Sequence, residues 1–369
     1  MRLQILALLV KELLTVLADA RSRWVLIGPP LIQLVVFGYA ASFDLNHVPI
    51  AVYDQDHSEA SRDLIARFSG SPTFSVRSVL RSGRPIDALI DSQRVQAVLV
   101  IDPRFARDLY DRAPAPVQLI VDGRNSNTGL LIEGYAGTIL TEFGLDWAAA
   151  HGADPPAAVL DVRALYNPTL DSHWFIIPGI VALLTQVVTL LVVGLSVARE
   201  REVGTFDQLL VTPLTPLDIL LGKGLPGLLI GLIEASVTIA AAVLWFHVPL
   251  RGSLVALYLG LALFVLAITG IGLAISALAA TQQQALLGAF MFMVPSIILS
   301  GFATPVANMP MWVQDLTLVN PMRYFLVVVR GVFLQGAGLG SLAAELWPMA
   351  LIGTATLAAA GWLFRRRVA

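Results

Sequence analysis

The stretch "WFIIPGIVALLTQVVTLLVVGLSV" (residues 174–197) carries no charged side chain, and it runs directly into "AREREVGTFDQLLVTPLTP" (residues 198–216). An α-helix needs about 20 apolar residues to cross a bilayer, so the first segment reads as a span. The second crowds Arg199, Glu200, Arg201 and Glu202 against Gly204 and Thr205, then adds Pro213 and Pro216. It predicts a short amphipathic helix over about residues 197–211, with Phe206, Leu209 and Leu210 on one face and the charges at the membrane–water boundary. "TPLTP" is expected to stop that helix and redirect the chain toward Lys223 and the next span. An element joined firmly to two spans is placed to receive force. The plainer reading is a charged flank that anchors the spans.

Working outward, the whole chain is apolar. Of its 369 residues 56% are hydrophobic and 14% charged, against about 25% charged in a soluble domain. Six runs read as spans, approximately residues 24–42, 174–197, 225–246, 254–279, 285–303 and 346–364. The expected fold is therefore a polytopic α-helical membrane protein with six transmembrane helices. Pro29 and Pro30 predict a kink or a late helix start in the first run. A net charge of −2 gives no support for nucleic-acid binding. The absence of cysteine excludes disulfides, thiolate metal sites and cysteine nucleophiles.

Basic residues orient the chain. With both termini in the cytoplasm, that side holds ten: Arg2, Lys11, Arg21, Arg23, Arg199, Arg201, Lys223, Arg365, Arg366 and Arg367. The short outer loops hold Arg251, Arg323 and Arg330, and the imbalance places the termini inside. Residues 1–23 resemble a signal peptide, but Lys11 and Glu12 cut the apolar core short. Leu3, Leu6, Val10, Leu13, Leu14 and Leu17 instead predict a helix lying in the cytoplasmic interface.

Residues 43–173 form a polar, domain-sized block that this orientation puts outside the cell membrane. "VPIAVYDQD", "TFSVRSVL", "VQAVLVID" and "APVQLIVDG" read as strands, alternating with helices in "SEASRDLIARFSG" (Ser58 as cap), "PIDALIDSQR" and "PRFARDLYDR". A long helix is expected over residues 130–150. The alternation predicts a small α/β layer. Asp54, Asp56, Asp102 and Asp122 sit at strand ends, where loops often carry function; the plainer reading is turn and cap chemistry. His57, His151 and His173 lack metal-ligand spacing.

The chain has no phosphate-binding "GxxxxGK[ST]" loop; "LGKGLPG" (residues 221–227) lacks the spacing. Any nucleotide energy must come from another subunit. Glu234 falls in the third run, where a carboxylate is costly. It reads as a hydrogen-bonded tie between helices, to Gln186 or Gln33, or as a contact for substrate or proton. Met291, Phe292, Met293 and Ser300 form an adaptable stripe that reads as helix packing or, with the second span, as a path lining.

"VAREREVGTFDQLLVTPLTPLDILLGK" (residues 197–223) resembles the coupling segment of ABC-2-type export permeases. The likeness continues through residues 280–325, "VDGRNSNTG", "YNPTLDSHWFIIPG" and the terminal "RRR". It is strongest toward the bacterial multidrug-exporter-like branch with a large periplasmic insertion. The resemblance implies contact of Arg199, Glu200, Arg201, Glu202, Gly204, Thr205 and Phe206 with a cytoplasmic ATPase subunit. It implies a dimer of identical or paralogous permeases in the bacterial inner membrane, and outer re-entrant helices over residues 304–341. A periplasmic adaptor is a further implied partner. Gln186, Glu234, Met291, Phe292, Met293 and Ser300 become the expected substrate path. The chain itself needs no cofactor; ATP and magnesium belong to the partner. The competing readings are an ion-gradient-driven carrier and a membrane-anchored periplasmic binding or sensor protein.

Overall fold

A computed structural model describes residues 9–11, 14, 18, 20–40, 45, 47–124, 126–152, 166–167, 171–205 and 215–368. The chain divides into two compact units, residues 43–163 and residues 1–42 with 164–369.

The smaller unit is an α/β layer. Its strands are β1 (Val48–Asp54), β2 (Phe74–Val79), β3 (Ala97–Ile101) and β4 (Val117–Val121), in the order β2-β1-β3-β4. β1 pairs in parallel with β2 and β3, and β3 pairs antiparallel with β4. Side chains alternate across a strand. Ile50, Val52, Leu99 and Ile101 therefore pack on one face with Leu64, Phe68, Phe105, Ile132 and Phe143, while Ala51 and Val98 pack on the other with Leu80, Ile86 and Val95. The unit's helices are α2 (Glu59–Gly70), α3 (Ile86–Asp91), α4 (Phe105–Tyr110) and α5 (Ser126–Ala150); α1 (Ala20–Ala40) belongs to the other unit. Ser58 caps α2 by accepting from the Ser61 amide at 3.0 Å. The strand-end aspartates act as turn formers: Asp54 accepts from the Asp56 and His57 amides, Asp102 from Arg104 and Asp122 from Arg124.

The larger unit is a helix bundle of α1, α6 (Ser172–Val203), α7 (Pro216–Leu244), α8 (Leu254–Leu278), α9 (Gln282–Ile298), α10 (Met311–Thr317), α11 (Pro321–Arg330) and α12 (Leu339–Val368). Among the described residues four helices, α6, α7, α8 and α12, are long and apolar enough to cross a membrane. The break between α10 and α11 bends the chain by 82°, and counting that pair adds a fifth. α9 is 17 residues long and the apolar part of α1 runs Pro30–Tyr39. α1 starts at Ala20 and continues through Pro29 and Pro30, so the expected late start does not occur. Most of residues 1–19, including most of the expected interfacial helix, lie outside the described residues.

α6 is the axis of the bundle: 83% of its most apolar window is buried inside the protein, against 17% for α12. Leu34, Ile180, Leu184, Ile239, Leu261, Phe264 and Phe325 share one core, where the Phe264 and Phe325 rings stack at 4.6 Å. Gly270 lets α8 lie directly on the backbone of α12 at Thr356 and Leu357, the small-residue contact by which helices approach closely in lipid.

Candidate functional site

α6 has 32 residues, a length of about 48 Å, so it outlasts a hydrocarbon core of about 30 Å. Residues 197–203 do not open a separate helix, and residues 206–211 of the expected one lie outside the described residues. Backbone hydrogen bonding is indifferent to side-chain charge, and α6 simply continues to Val203. It ends because Gly204 takes a left-handed conformation, φ +78°. The Gly204 amide then donates to Arg201 at 3.1 Å and the Thr205 amide to Glu200 at 2.9 Å, which closes a Schellman cap. Phe206, Leu209 and Leu210 lie outside the described residues.

The next helix also begins earlier than expected. Thr215 and Asp218 form a reciprocal capping box with Pro216 in the first turn. "TPLD" at residues 215–218 is the sequence signature of that start. Lys223 is consequently inside α7, not in a loop, and is 2% exposed. Its ammonium lies 2.7 Å from Glu200 Oε1, which also accepts from Lys11 Nζ at 2.9 Å.

The neighbouring charges reach other helices. Arg201 Nη1 donates to the carbonyls of Ala277 (2.8 Å) and Ala279 (3.2 Å) at the end of α8. Glu202 Oε2 accepts from the Gln282 amide at 2.8 Å, at the start of α9. One turn earlier, buried Ser276 Oγ accepts from the Val197 and Ala198 amides at 3.0 and 3.2 Å. Arg199 and Gly204 are exposed.

The expected path residues do not share one surface. Gln186 is fully buried, with Oε1 3.3 Å from Ser296 Oγ; that hydroxyl lies 2.9 Å from Asn320 Oδ1. Asn320, which the sequence reading passed over, also donates to the Ser296 carbonyl and caps α11 through the Met322 amide. Glu234 Oε1 accepts from Thr238 at 2.9 Å, and its buried Oε2 has no hydrogen-bond partner among the described residues. A bond from Glu234 to Gln186 or Gln33 is not among the interactions of the described residues; Gln186 is instead turned to Ser296. Ser300 serves its own turn, donating to Ile297 and accepting from the Phe302 amide. Met293 is in the core, whereas Met291 is 83% exposed. Met291 and Phe292 line an open apolar cleft of about 380 Å³ with Ile275, Leu278, Gly288 and Thr356. Among the described residues no group of three or more His, Asp or Glu side chains could hold a metal ion.

Apolar helices of membrane-spanning length, one of them running past the bilayer to a charged end that gathers its neighbours, define a multi-pass membrane protein. The chain belongs to the ABC-2 transporter family: the family described as "ABC-2 family transporter protein" matches residues 21–362. It is similar to the probable multidrug ABC transporter permease YbhR of Escherichia coli (strain K12), 39% identical over 358 residues that cover 97% of each chain. It is 32% identical to the probable multidrug ABC transporter permease YbhS of the same organism, over 89% of this chain and 88% of that one. The inner membrane transport permease YhhJ of E. coli is 29% identical over 97% of this chain and 96% of its own. The protein is thus the membrane subunit of an ABC transporter, a permease rather than a carrier of another class.

Proposed function

We propose that the permease exports hydrophobic or amphipathic molecules, drug-like compounds or lipids, from the cytoplasm or the inner leaflet. A separate cytoplasmic ATPase subunit, carrying ATP and magnesium, bears on residues 199–206. Two permeases, identical or paralogous, form the conducting unit. The chain lies in the bacterial inner membrane with six spans: α1 and α9 complete the set of four long helices, and α10 with α11 forms a re-entrant pair on the outer side. Both termini are cytoplasmic and residues 43–173 form a periplasmic domain on which an adaptor docks. The excess of basic residues on the inner side survives the transfer of Lys223 into α7.

The observation that carries this reading is the end of α6. The central helix leaves the membrane as a rigid rod and stops at Gly204 with Arg199 exposed beside it. Closure of the ATPase subunits displaces that rod, and different contacts in the two nucleotide states drive the spans between inward and outward forms. The similarity to the two E. coli permeases named as probable multidrug permeases supports the substrate class, as does the apolar cleft at Met291 and Phe292.

Purification from mild detergent, with mass spectrometry of what accompanies the chain, tests the proposal. An ATPase subunit is expected at a stoichiometric level, and its hydrolysis is expected to respond to the permease. Recovery of the chain without an ATPase, or labelling of residues 199–205 by an impermeant reagent from outside intact cells, refutes it.

A further inference from the structure

We infer that Glu200, Arg201 and Glu202 are positioning residues that bind the ends of three neighbouring helices to α6, and that Arg199 is the charge of this segment left for the ATPase subunit. The inference rests on the coupling role proposed above and divides that role among residues.

Successive residues of a helix point about 100° apart. Three in a row therefore fan out, and here each meets a different helix. Glu200 takes Lys223 of α7, Arg201 takes the last carbonyls of α8, and Glu202 takes the first amide of α9. The signs match the partners. A helix carries partial negative charge at its C-terminus and partial positive charge at its N-terminus. α8 ends at Leu278 and α9 starts at Gln282, so both termini meet in one short turn. Arg201 neutralises the first and Glu202 the second. Ser276 adds a fourth tie on the same flank by accepting two α6 amides.

The tie between Glu200 and Lys223 is the least replaceable. The Lys223 side chain is 1% exposed and that of Glu200 12%. Removing one partner of a buried ion pair strands the other charge. Arg199 differs in its partners, not in exposure, since Glu202 is exposed too. Among the described residues Arg199 makes no hydrogen bond or ion pair. A displacement applied to the end of α6 is thereby shared by α7, α8 and α9, which move with it.

Two measurements test this. In the permease alone, amide hydrogen exchange across residues 277–284 should rise about tenfold in E202Q, the loss of one charge-assisted hydrogen bond. Unchanged exchange there overturns the inference whatever the ATPase does. In the reconstituted complex, E200Q, K223M and E202Q should retain the ATPase subunit in a pull-down while transport per ATP hydrolysed falls about fivefold or more. E200Q/K223M, which removes both charges of the pair, should be no worse than either single variant. Additive losses in that cycle overturn the pairing. R199A should instead weaken retention of the ATPase. Loss of the ATPase from the E200Q and E202Q variants with full retention by R199A overturns the division of roles. A wild-type permease that retains no ATPase overturns the coupling reading itself and leaves the exchange result to judge the ties.

Discussion

Replacing Gly270 by alanine is expected to force α8 and α12 apart. A Cβ at this position would lie 2.7 Å from the Leu357 backbone nitrogen and 2.8 Å from the Thr356 carbonyl carbon, besides striking Thr356 Oγ1. Carbon–heavy-atom contacts settle at about 3.5–4 Å, so the helices must separate by roughly 1 Å along the contact. A side-chain obstacle could change rotamer; a backbone obstacle cannot. The Thr356 hydroxyl also donates to the Ala267 carbonyl at 3.2 Å, and that bond lengthens with the separation. Overpacking of this kind costs about 1–3 kcal/mol, here toward the upper end. At roughly 2–4 °C per kcal/mol for a unit of this size, the apparent melting temperature should drop by about 5–10 °C. The assay is tryptophan-fluorescence melting in mild detergent, with G194A as control, because a Cβ at Gly194 meets nothing within 4 Å. A G270A protein that melts with the wild type, or a G194A protein that falls as far, refutes the packing argument.

Gly204 has room for a side chain but a left-handed backbone, φ +78°, so G204A should cost about 1–2 kcal/mol at the cap. G204N should cost less, since asparagine tolerates that conformation; detergent melts compare the two, and equal losses would count against a conformational cause. E234Q should impair export of cationic substrates more than neutral ones, read as the resistance of cells to compounds of each class. An unchanged resistance profile removes Glu234 from the path. In the α/β unit the Arg124 guanidinium, with its backbone amide, holds the Asp122 carboxyl below the usual carboxylate range. A depressed carboxylate pKa adds stability above the ordinary value of about 3.9 and loses it as pH falls through that value and below. R124A should therefore show a shallower loss of melting temperature between neutral and acid pH than the wild type; parallel curves would rule the pair out. The chain has no cysteine, so M291C introduces a single thiol, and disulfide-linked dimers in membranes are expected if this face of α9 meets a second permease. Monomers only, under oxidising conditions, would place the face elsewhere.

Much of the architecture is written locally. Residues 174–197 and 254–279 contain so little that water can solvate that only a self-satisfied helix suits them, and α6 and α8 cover them. The strands at Val48–Asp54 and Ala97–Ile101 follow from β-branched and aliphatic runs bounded by turn residues, and the Ser58 cap from its position before an apolar-periodic segment. The start of α7 was equally local: the Thr215–Asp218 box announces it, but the prolines around it invite reading as a stop.

The charged segment marks the boundary between the two kinds of information. Composition alone decides that Arg199, Glu200, Arg201 and Glu202 lie where a span ends, because charge is expelled from hydrocarbon. It cannot decide which of them faces inward. Glu200 is largely shielded because α7 brings Lys223 to it from 23 residues away, and Arg201 and Glu202 are engaged because the turn between α8 and α9 arrives from some 80 residues away. Local sequence sets hydrogen bonding within a helix and its preference for lipid. Partners for ionised groups depend on distance in space, and only the packing of one helix against another supplies it.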